Sequence, residues 1–366
     1  MERDKQIRVL HLYSSYTPGG AEKRIISLVF NLNKIGISNL IGCPKGSFLE
    51  NEAKRLNLTV CPIRICNSLD LIGILKLFLI AKREKIDILH VHQGKIFWPS
   101  IFVKWLCFNR LKLVFHRHLD KKTSILSRAH YKFADCIIAV SNAVKENLIK
   151  FDNVEPSKIF VIYLGVEIGG EIKRDIRKEY NIDSKIVIGT IGGINKPEGK
   201  GQRYLLEVAC LLKERYNNLH YLIVGDGSLK NELERYAVKI NVNDIVTFTG
   251  YRENVYDFIR AMDIVVLLSC GTEALGTVLV EAQLLGKPII ATSLGGISET
   301  FINKESGILI PPRDVESLKN ALIGLIENEA LRKKMGEKGK EFAKERFNMK
   351  NCCNSIKSLY EKLLKL

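Results

Sequence analysis

An α/β protein built of two doubly wound domains is predicted by three features of the chain. Short apolar runs alternate with segments of helical periodicity from one end to the other. The alternation halts once, at Leu164-Gly-Val-Glu-Ile-Gly-Gly170, and then restarts. At 366 residues the chain is also longer than one hydrophobic core usually supports. The expected layout is an N-terminal domain over 1–167, a C-terminal domain over 168–348 and a closing helix over 349–366. No repeat of 20–50 residues is visible, which excludes a solenoid. Open sheets of this type bind ligands beyond the carboxyl ends of their strands, so the loops after the strands carry the functional reading.

The first strand is Ile7-Arg-Val-Leu-His-Leu-Tyr13. It runs into Ser14–Glu22, where the pair Gly19-Gly20 precedes the helical pattern Lys23–Asn33. Paired glycines between a strand and a helix let backbone approach a phosphate closely, although the pair is common in ordinary loops. Asn39–Cys43 and Thr59–Arg64 read as strands around a helix at Phe48–Leu56. Leu69–Lys82 is an amphipathic helix, and Ile86–His92 is a strand ending in histidines. Ile96–Phe108 carries aromatics with interleaved lysines, which suits a buried helix better than a bilayer contact. Leu113–Asp120 is a strand with His116, Arg117 and His118 toward its tip, and side chains two apart share a face. Ala134–Val140 is a strand, Ser141-Asn142 caps the helix Ala143–Lys150, and Lys158–Tyr163 closes the first sheet.

The second half repeats the scheme. Strand Lys185–Gly192 leads into a glycine- and lysine-bearing loop over Gly193–Gly201, followed by the helix Gln202–Tyr216. Strand His220–Val224 ends in Gly225-Asp-Gly-Ser228 before the helix Leu229–Ile240. Strand Ile245–Thr249 ends at Gly250-Tyr251-Arg252, with the helix Val255–Met262 beyond. Asp263–Ser269 then runs into Glu273-Ala-Leu-Gly276-Thr-Val-Leu-Val-Glu281. A helix starting near Gly276-Thr277 points its free N–H groups and positive dipole end at whatever lies over the loop. Glu273 hangs before that helix and Glu281 lies about one and a half turns into it. A phosphate at the helix end with hydroxyls on either side describes a sugar nucleotide, whereas a glutamate pair on a helix is more often a solvated face. Pro288–Thr292 and Ser306–Ile310 are the last strands, and Asp314 caps the helices that finish the chain.

Composition narrows the class. Apolar content of 46% and charged content of 26% belong to a soluble globular protein. Met1–Arg8 has no apolar signal region and no run reaches the length of a membrane span, so a cytoplasmic protein is expected. Nine scattered cysteines suit reduced thiols, and no histidine cluster stands at zinc spacing along the chain. Residues 1–165 hold 26 Lys and Arg against 13 Asp and Glu, while the remainder holds 30 against 27. The basic first half suggests an anionic partner: a phosphorylated acceptor, or an anionic membrane surface at which the protein sits peripherally. No helix-turn-helix, zinc or RNA-binding signature accompanies that charge, so nucleic acid is not expected.

Together these motifs resemble the family 4 retaining glycosyltransferases of the GT-B fold. The resemblance runs through Gly19-Gly20-Ala21-Glu22, Asp135–Ser141, Lys200-Gly201, Val224–Gly227, Phe248–Gly250, the Glu273…Glu281 unit and Gly307–Pro311. It implies two Rossmann-like domains facing across a cleft, the first binding acceptor and the second donor, with the C-terminal helix returning to the first. It further implies transfer of a sugar from a nucleotide diphosphate sugar (UDP- or GDP-linked) to a hydroxyl of a glycan or lipid-linked glycan, in polysaccharide or lipopolysaccharide synthesis. The anomeric configuration is retained and no metal or other cofactor is expected; the chain has no Asp-x-Asp motif. By the same resemblance Glu281 holds the donor ribose, Glu273 contacts the transferred sugar, and backbone at Leu275, Gly276, Thr277 and Val278 meets sugar or phosphate. Lys200 neutralises the leaving diphosphate, Gly19 and Gly20 approach it from the first domain, and Gly250, Tyr251 and Arg252 lie at the base. His118 fits a slot near the reacting carbon, with His116 and Arg117 as neighbours or acceptor contacts.

Two departures stand out. The family usually carries an arginine shortly before the Lys200-Gly201 pair; here the stretch reads Gly192-Gly-Ile-Asn-Lys196, so Lys196 or Arg203 is left to supply that charge. Leu275 replaces a common aromatic. The nearest alternative is a GT-B phosphorylase or a nucleotide-sugar epimerase. A non-catalytic basic binding protein is more distant, and a nicotinamide-dependent oxidoreductase lacks its full Gly-x-Gly-x-x-Gly after any strand.

Overall fold

Val9-Leu10-His11-Leu12 and Ile137-Ile138-Ala139-Val140 are apolar or bulky at nearly every position, and such strands are stable only where both sheet faces are covered. The computed structural model, which describes residues 6–16, 19–118, 128–169, 174–197 and 199–365, satisfies that demand twice. The chain divides into one unit of Met1–Gly165 with Phe347–Leu366 and a second of Val166–Arg346. All thirteen expected strands form, and every pairing between them is parallel.

The first unit's strands are β1 (Arg8–Leu12), β2 (Ser38–Cys43), β3 (Val60–Pro62), β4 (Ile88–Val91), β5 (Lys112–Arg117), β6 (Cys136–Ala139) and β7 (Ile159–Val161). They form one sheet in the order β3-β2-β1-β4-β5-β6-β7. β3 is shorter than expected, because it is the edge strand and Pro62 has no N–H to continue a ladder. The connecting helices are α1 (Gly20–Lys34), α2 (Phe48–Arg55), α3 (Leu71–Arg83), α4 (Phe97–Leu106) and α5 (Asn142–Asp152). Side-chain caps start three of them: Ser47 Oγ accepts from Glu50 N, Asp70 from Gly73 N, and Ser141 from Val144 N.

The second unit begins with a single-turn helix, α6 (Ile176–Glu179). Its strands are β8 (Ile186–Ile191), β9 (Leu219–Val224), β10 (Val246–Gly250), β11 (Ile264–Leu267), β12 (Ile289–Thr292) and β13 (Gly307–Ile310), ordered β10-β9-β8-β11-β12-β13. Its further helices are α7 (Gln202–Lys213), α8 (Lys230–Lys239), α9 (Tyr256–Ala261), α10 (Thr277–Leu284), α11 (Val315–Ile326) and α12 (Glu329–Arg346). Apolar clusters cover both faces of this sheet: one includes Leu205, Leu212, Tyr221 and Leu322, the other Phe258, Met262, Leu279 and Ile289.

The final helix, α13 (Met349–Leu364), belongs to the first unit. Its Cys352, Cys353, Ile356, Leu359 and Tyr360 are buried against Val9, Ile88, Val114 and Ile138 of the first sheet. All nine cysteines are free thiols, and burial of Cys43, Cys136 and Cys352 raises their pKa values. Among the described residues no helix is long and apolar enough to cross a membrane.

In each sheet the strand order reverses beside the first strand: between β1 and β4 in one unit, between β8 and β11 in the other. Backbone connections diverge there and leave a crevice at the strands' carboxyl ends. The loops that carry the candidate residues follow the strands on either side of those two crevices.

Candidate active site

In the second unit, the loop after β8 carries Lys200 and the loop after β11 carries Glu273, so the two flank its crevice. Gly201 makes this approach possible. Its φ is +72°, and a Cβ there would lie 2.0 Å from the Leu268 carbonyl oxygen, so only glycine fits. With the backbone pressed against the end of β11, Lys200 Nζ forms an ion pair with Glu273 Oε2. Ser269 Oγ donates to the same carboxylate oxygen at 3.2 Å, and Gly296 N donates to the Glu273 carbonyl at 3.0 Å. The loop is therefore anchored at both its backbone and its side chain.

Gly276, with φ at +77°, turns the chain into α10. Leu275 is buried beneath the turn, while Thr277 and Val278 are half-buried in the first turn of the helix. Glu281 follows on α10 and is 8% exposed. This unit thus brings together Lys200, Glu273, Leu275, Gly276, Thr277, Val278 and Glu281 around one strand-to-helix turn and its neighbouring loop.

The remaining expected donor contacts divide. Gly225 N donates to the Gly250 carbonyl at 3.0 Å, joining the tips of β9 and β10. Tyr251 is exposed. The Arg252 guanidinium is directed elsewhere: Nη2 lies 3.3 Å from the Tyr180 hydroxyl and the group sits over the Phe258 ring. Arg203 likewise spends its charge locally, with Nε 3.1 Å from Glu207 Oε1 and the guanidinium over the Tyr236 ring. Lys196 makes no ion pair among the described residues, so of the two substitutes for the family's arginine it is the one left available.

In the first unit, Gly19 and Gly20 lie at the start of α1, while Thr17 and Pro18 fall outside the described residues. Glu22 folds back over this helix start. Its carboxylate accepts hydrogen bonds from Tyr13 and Ser15, and burial raises its pKa. A Cβ on Gly19 would come within 2.9 Å of Glu22 Oε2. A carboxylate of the chain itself therefore sits where an anion was expected to meet Gly19-Gly20.

Spacing along the chain shows no histidine cluster, and the fold builds one. Parallel pairing sets His11 of β1 beside His90 of β4, and residues two apart share a sheet face. His11, His90, His92, His116 and His118 consequently gather at the ends of β1, β4 and β5, with neighbouring ring centroids 4.1–5.3 Å apart. Burial lowers every one of their pKa values, to about 4 for His11 and His118, so all five rings are neutral at pH 7. The Arg117 cation adds to the effect on His118. Two trios, His11-His90-His92 and His92-His116-His118, hold ligand atoms within 4.8 Å of one another. The rings are mostly stacked and joined nitrogen to nitrogen at 3.0–3.1 Å, so most of those lone pairs already accept hydrogen bonds. Of this group the sequence singled out only His116 and His118; the visible sign was the repeated His-x-His at two strand ends.

Two doubly wound parallel sheets, one with Lys200 and Glu273 beside a strand-to-helix turn, define an α/β protein of the kind that holds ligands beyond its strand ends. Comparison with known proteins agrees. Residues 172–342 match the family model for glycosyl transferases group 1, and residues 18–169 match that for glycosyltransferase family 4. An uncharacterized glycosyltransferase of Methanocaldococcus jannaschii is 31% identical over 78% of this chain and 78% of its own length. The UDP-Gal:alpha-D-GlcNAc-diphosphoundecaprenol alpha-1,3-galactosyltransferase of Escherichia coli is 28% identical over 81% of each. The crystal structure of Anabaena HepE in complex with UDP-glucose superposes with a TM-score of 0.85 at 21% identity, over 98% of this chain and 100% of that one. The chain belongs to glycosyltransferase family 4, and its fold is GT-B.

Proposed function

We propose that the protein transfers a sugar from a nucleoside diphosphate donor, UDP-linked in the first instance, to a hydroxyl of a glycan or lipid-linked glycan, with retention of configuration and without a metal. The observation that carries this reading is the Lys200–Glu273 pair beside the α10 turn, with Glu281 one helix segment further on. Lys200 exchanges its carboxylate partner for the donor diphosphate and stabilises the charge that grows on it as the bond to the sugar breaks. Glu273, released, accepts hydrogen bonds from sugar hydroxyls, and Glu281 accepts from the ribose. His118, on the first unit, contacts the transferred sugar. Lys196 supplies the second phosphate charge. The acceptor oxygen bonds to the anomeric carbon on the face from which the diphosphate departs, and the acceptor proton passes to the leaving phosphate oxygen.

Support for the donor class comes from the Escherichia coli relative, whose name specifies UDP-Gal, and from the Anabaena neighbour with UDP-glucose. Support for a lipid-linked acceptor comes from the same relative's diphosphoundecaprenol substrate. The basic first half of the chain suits such an acceptor at an anionic membrane surface.

Thermal stabilisation by UDP-, GDP- and ADP-sugars tests the donor, with a UDP-sugar expected to raise Tm most. The anomer of the product, read by NMR, tests retention, and unchanged turnover in EDTA tests metal independence. Hydrolysis or epimerisation of the donor with no transfer to any hydroxyl acceptor would overturn the reading.

A further inference from the structure

The five clustered histidines form two hydrogen-bonded files, and the longer one has a fixed direction. It runs from Asn39 Oδ1 to His11 Nε2 at 3.0 Å, from His11 Nδ1 to His92 Nε2 at 3.0 Å, and from His92 Nδ1 to His118 Nε2 at 3.0 Å. Asn39 is the end that decides the rest. Its Nδ2 lies 3.1 Å from the Ile37 carbonyl oxygen, which only accepts, and 2.8 Å from Asn33 Oδ1. The amide nitrogen therefore faces those acceptors and Oδ1 faces His11. His11 must donate from Nε2, which in a neutral ring leaves Nδ1 as an acceptor. His92 must then donate from Nε2 and accept at Nδ1, and His118 must donate from Nε2 in turn. Each neutral ring has one proton, so the orientation of one amide propagates through three rings.

We infer that Asn39, through His11 and His92, locks His118 as the tautomer with its proton on Nε2 and an unprotonated Nδ1. The inference rests on the reading of His118 as a group that contacts the transferred sugar. In that role His118 accepts a hydrogen bond from a sugar hydroxyl at Nδ1 and does not donate one. Among the described residues that nitrogen has no protein partner. The file also cannot conduct a proton away. Moving one inward from His118 would reverse every bond and end by pushing a proton onto an amide oxygen, which does not take it at neutral pH. Burial of His11 and His92 and the low pKa of all three rings are consistent with a neutral file. Asn39, His11 and His92 are thus positioning residues, and a carboxylate in place of Asn39 would convert the lock into a charged relay.

The second file behaves as a separate lock. The Tyr360 hydroxyl meets His90 Nδ1 at 2.5 Å, and His90 Nε2 meets His116 Nδ1 at 3.1 Å. Its far end, His116 Nε2, is buried without a partner. If Tyr360 donates, only that one N–H is left unpaired; if it accepts, both its own proton and the His116 lone pair are. The first arrangement is favoured.

The test is long-range proton–nitrogen NMR on the full-length protein labelled with 15N-histidine, with His118 assigned from the spectrum of His118→Gln. At pH 7.5 the wild-type protein is expected to show His11, His92 and His118 protonated at Nε2 alone. Asn39→Leu is expected to leave His118 as a mixture of tautomers and to lower kcat roughly 10-fold or more with little change in donor KM. Asn39→Asp is expected to produce a charged imidazole near neutral pH and an ionisation in the kcat profile that the wild type lacks. A wild-type His118 protonated at Nδ1 or doubly protonated would overturn the lock. So would an Asn39→Leu spectrum identical to wild type, or micromolar binding of Zn²⁺ that shifts the His11 and His92 signals and marks a metal centre instead. If Asn39→Leu does not fold, the wild-type and Asn39→Asp spectra decide. The expected tautomers with no transfer from any nucleotide sugar would sink the proposed function and leave the lock intact.

Discussion

Lys200 and Glu273 meet as an ion pair although 73 positions separate them and each sits on a loop after a different strand. The pair follows from strand order, because β8 and β11 are neighbours at the point where the second sheet reverses direction. Their side chains are 33% and 13% exposed, so the pair contributes at most about 1 kcal/mol to stability. On the proposed function, the pair poises a cation and a carboxylate for exchange with the donor. Lys200→Ala should therefore leave Tm nearly unchanged while lowering kcat by roughly 10²–10³, the usual cost of removing one stabilising group from a developing oxyanion. Steady-state kinetics beside a thermal melt checks both halves. A loss of activity that merely tracked a loss of folded protein would refute the electrostatic role.

Glu281 is expected to act on binding more than on chemistry, since a ribose hydroxyl is held equally in the ground and transition states. Glu281→Ala should weaken donor affinity by roughly 10- to 100-fold, the range for losing hydrogen bonds to a charged acceptor, with a smaller effect on kcat. Isothermal titration with UDP measures this. Affinity equal to wild type would remove Glu281 from the ribose.

Gly201→Ala should destabilise the second unit by more than about 1 kcal/mol. The new Cβ would overlap the Leu268 carbonyl, and the positive φ is unfavourable for alanine. Because relief of that overlap must move the Lys200-Gly201 segment, UDP-sugar turnover should fall further than the loss of stability explains. Urea unfolding paired with kinetics at a permissive temperature separates the two effects.

The strands were legible because parallel sheets buried on both faces write long apolar runs into the chain, and all thirteen appear where such runs stand. The Glu273–Glu281 region was legible for a different reason: a glycine at a helix start and two carboxylates at fixed spacing lie on one short stretch. What local reading could not supply was register between strands. His11, His90 and His116 sit on three strands, and only the pairing of β1 with β4 and of β4 with β5 makes them neighbours. Asn39 and Tyr360 were invisible for the same reason, since their partners lie 28 and 270 positions away. Arg252 shows the converse limit. Its place in a motif suggested a ligand contact, yet an adjacent tyrosine and phenylalanine offer that guanidinium a nearer berth.

Helix α3 carries two apolar faces, and only one is used. Ile74, Leu77 and Ala81 are buried, whereas Leu71, Ile72, Leu75 and Leu79 are exposed on the other side, with Leu71 at 76%. On α4 and just after it, Trp105, Leu106 and Phe108 are exposed as well, although the expected buried face is present in Phe97, Ile101 and Val103. Lys76 and Lys82 lie on α3 among these residues. A surface that is both apolar and basic suits an anionic bilayer interface. The protein is expected to co-sediment with vesicles containing phosphatidylglycerol at low salt, and Leu71→Glu with Leu75→Glu should abolish this without altering Tm. Equal sedimentation of the double variant, or none by the wild type, would refute the membrane contact.

Acid should destabilise the protein in a defined window, and the first unit more than the second. Every histidine has a lowered pKa: about 4 for His11, His118 and His220, about 3 for His130, and well below 6.5 for His90, His92 and His116. In each case burial is the largest cause. The unfolded chain, with ordinary values near 6.5, then binds more protons than the folded one between about pH 6.5 and 4. Stability therefore rises with pH through that window and is flat above it; read downward, it is lost as pH falls below 6.5. For fully buried His11 alone the slope approaches about 1.4 kcal/mol per pH unit. Six of the seven histidines belong to the first unit and only His220 to the second. Hydrogen exchange at pH 7.5 and 5.5, corrected for intrinsic rates, should show protection falling in β1, β4 and β5 before β8, β9 and β11. Uniform loss across both sheets, or stability unchanged down to pH 5, would contradict the burial of neutral imidazoles as the source of acid sensitivity.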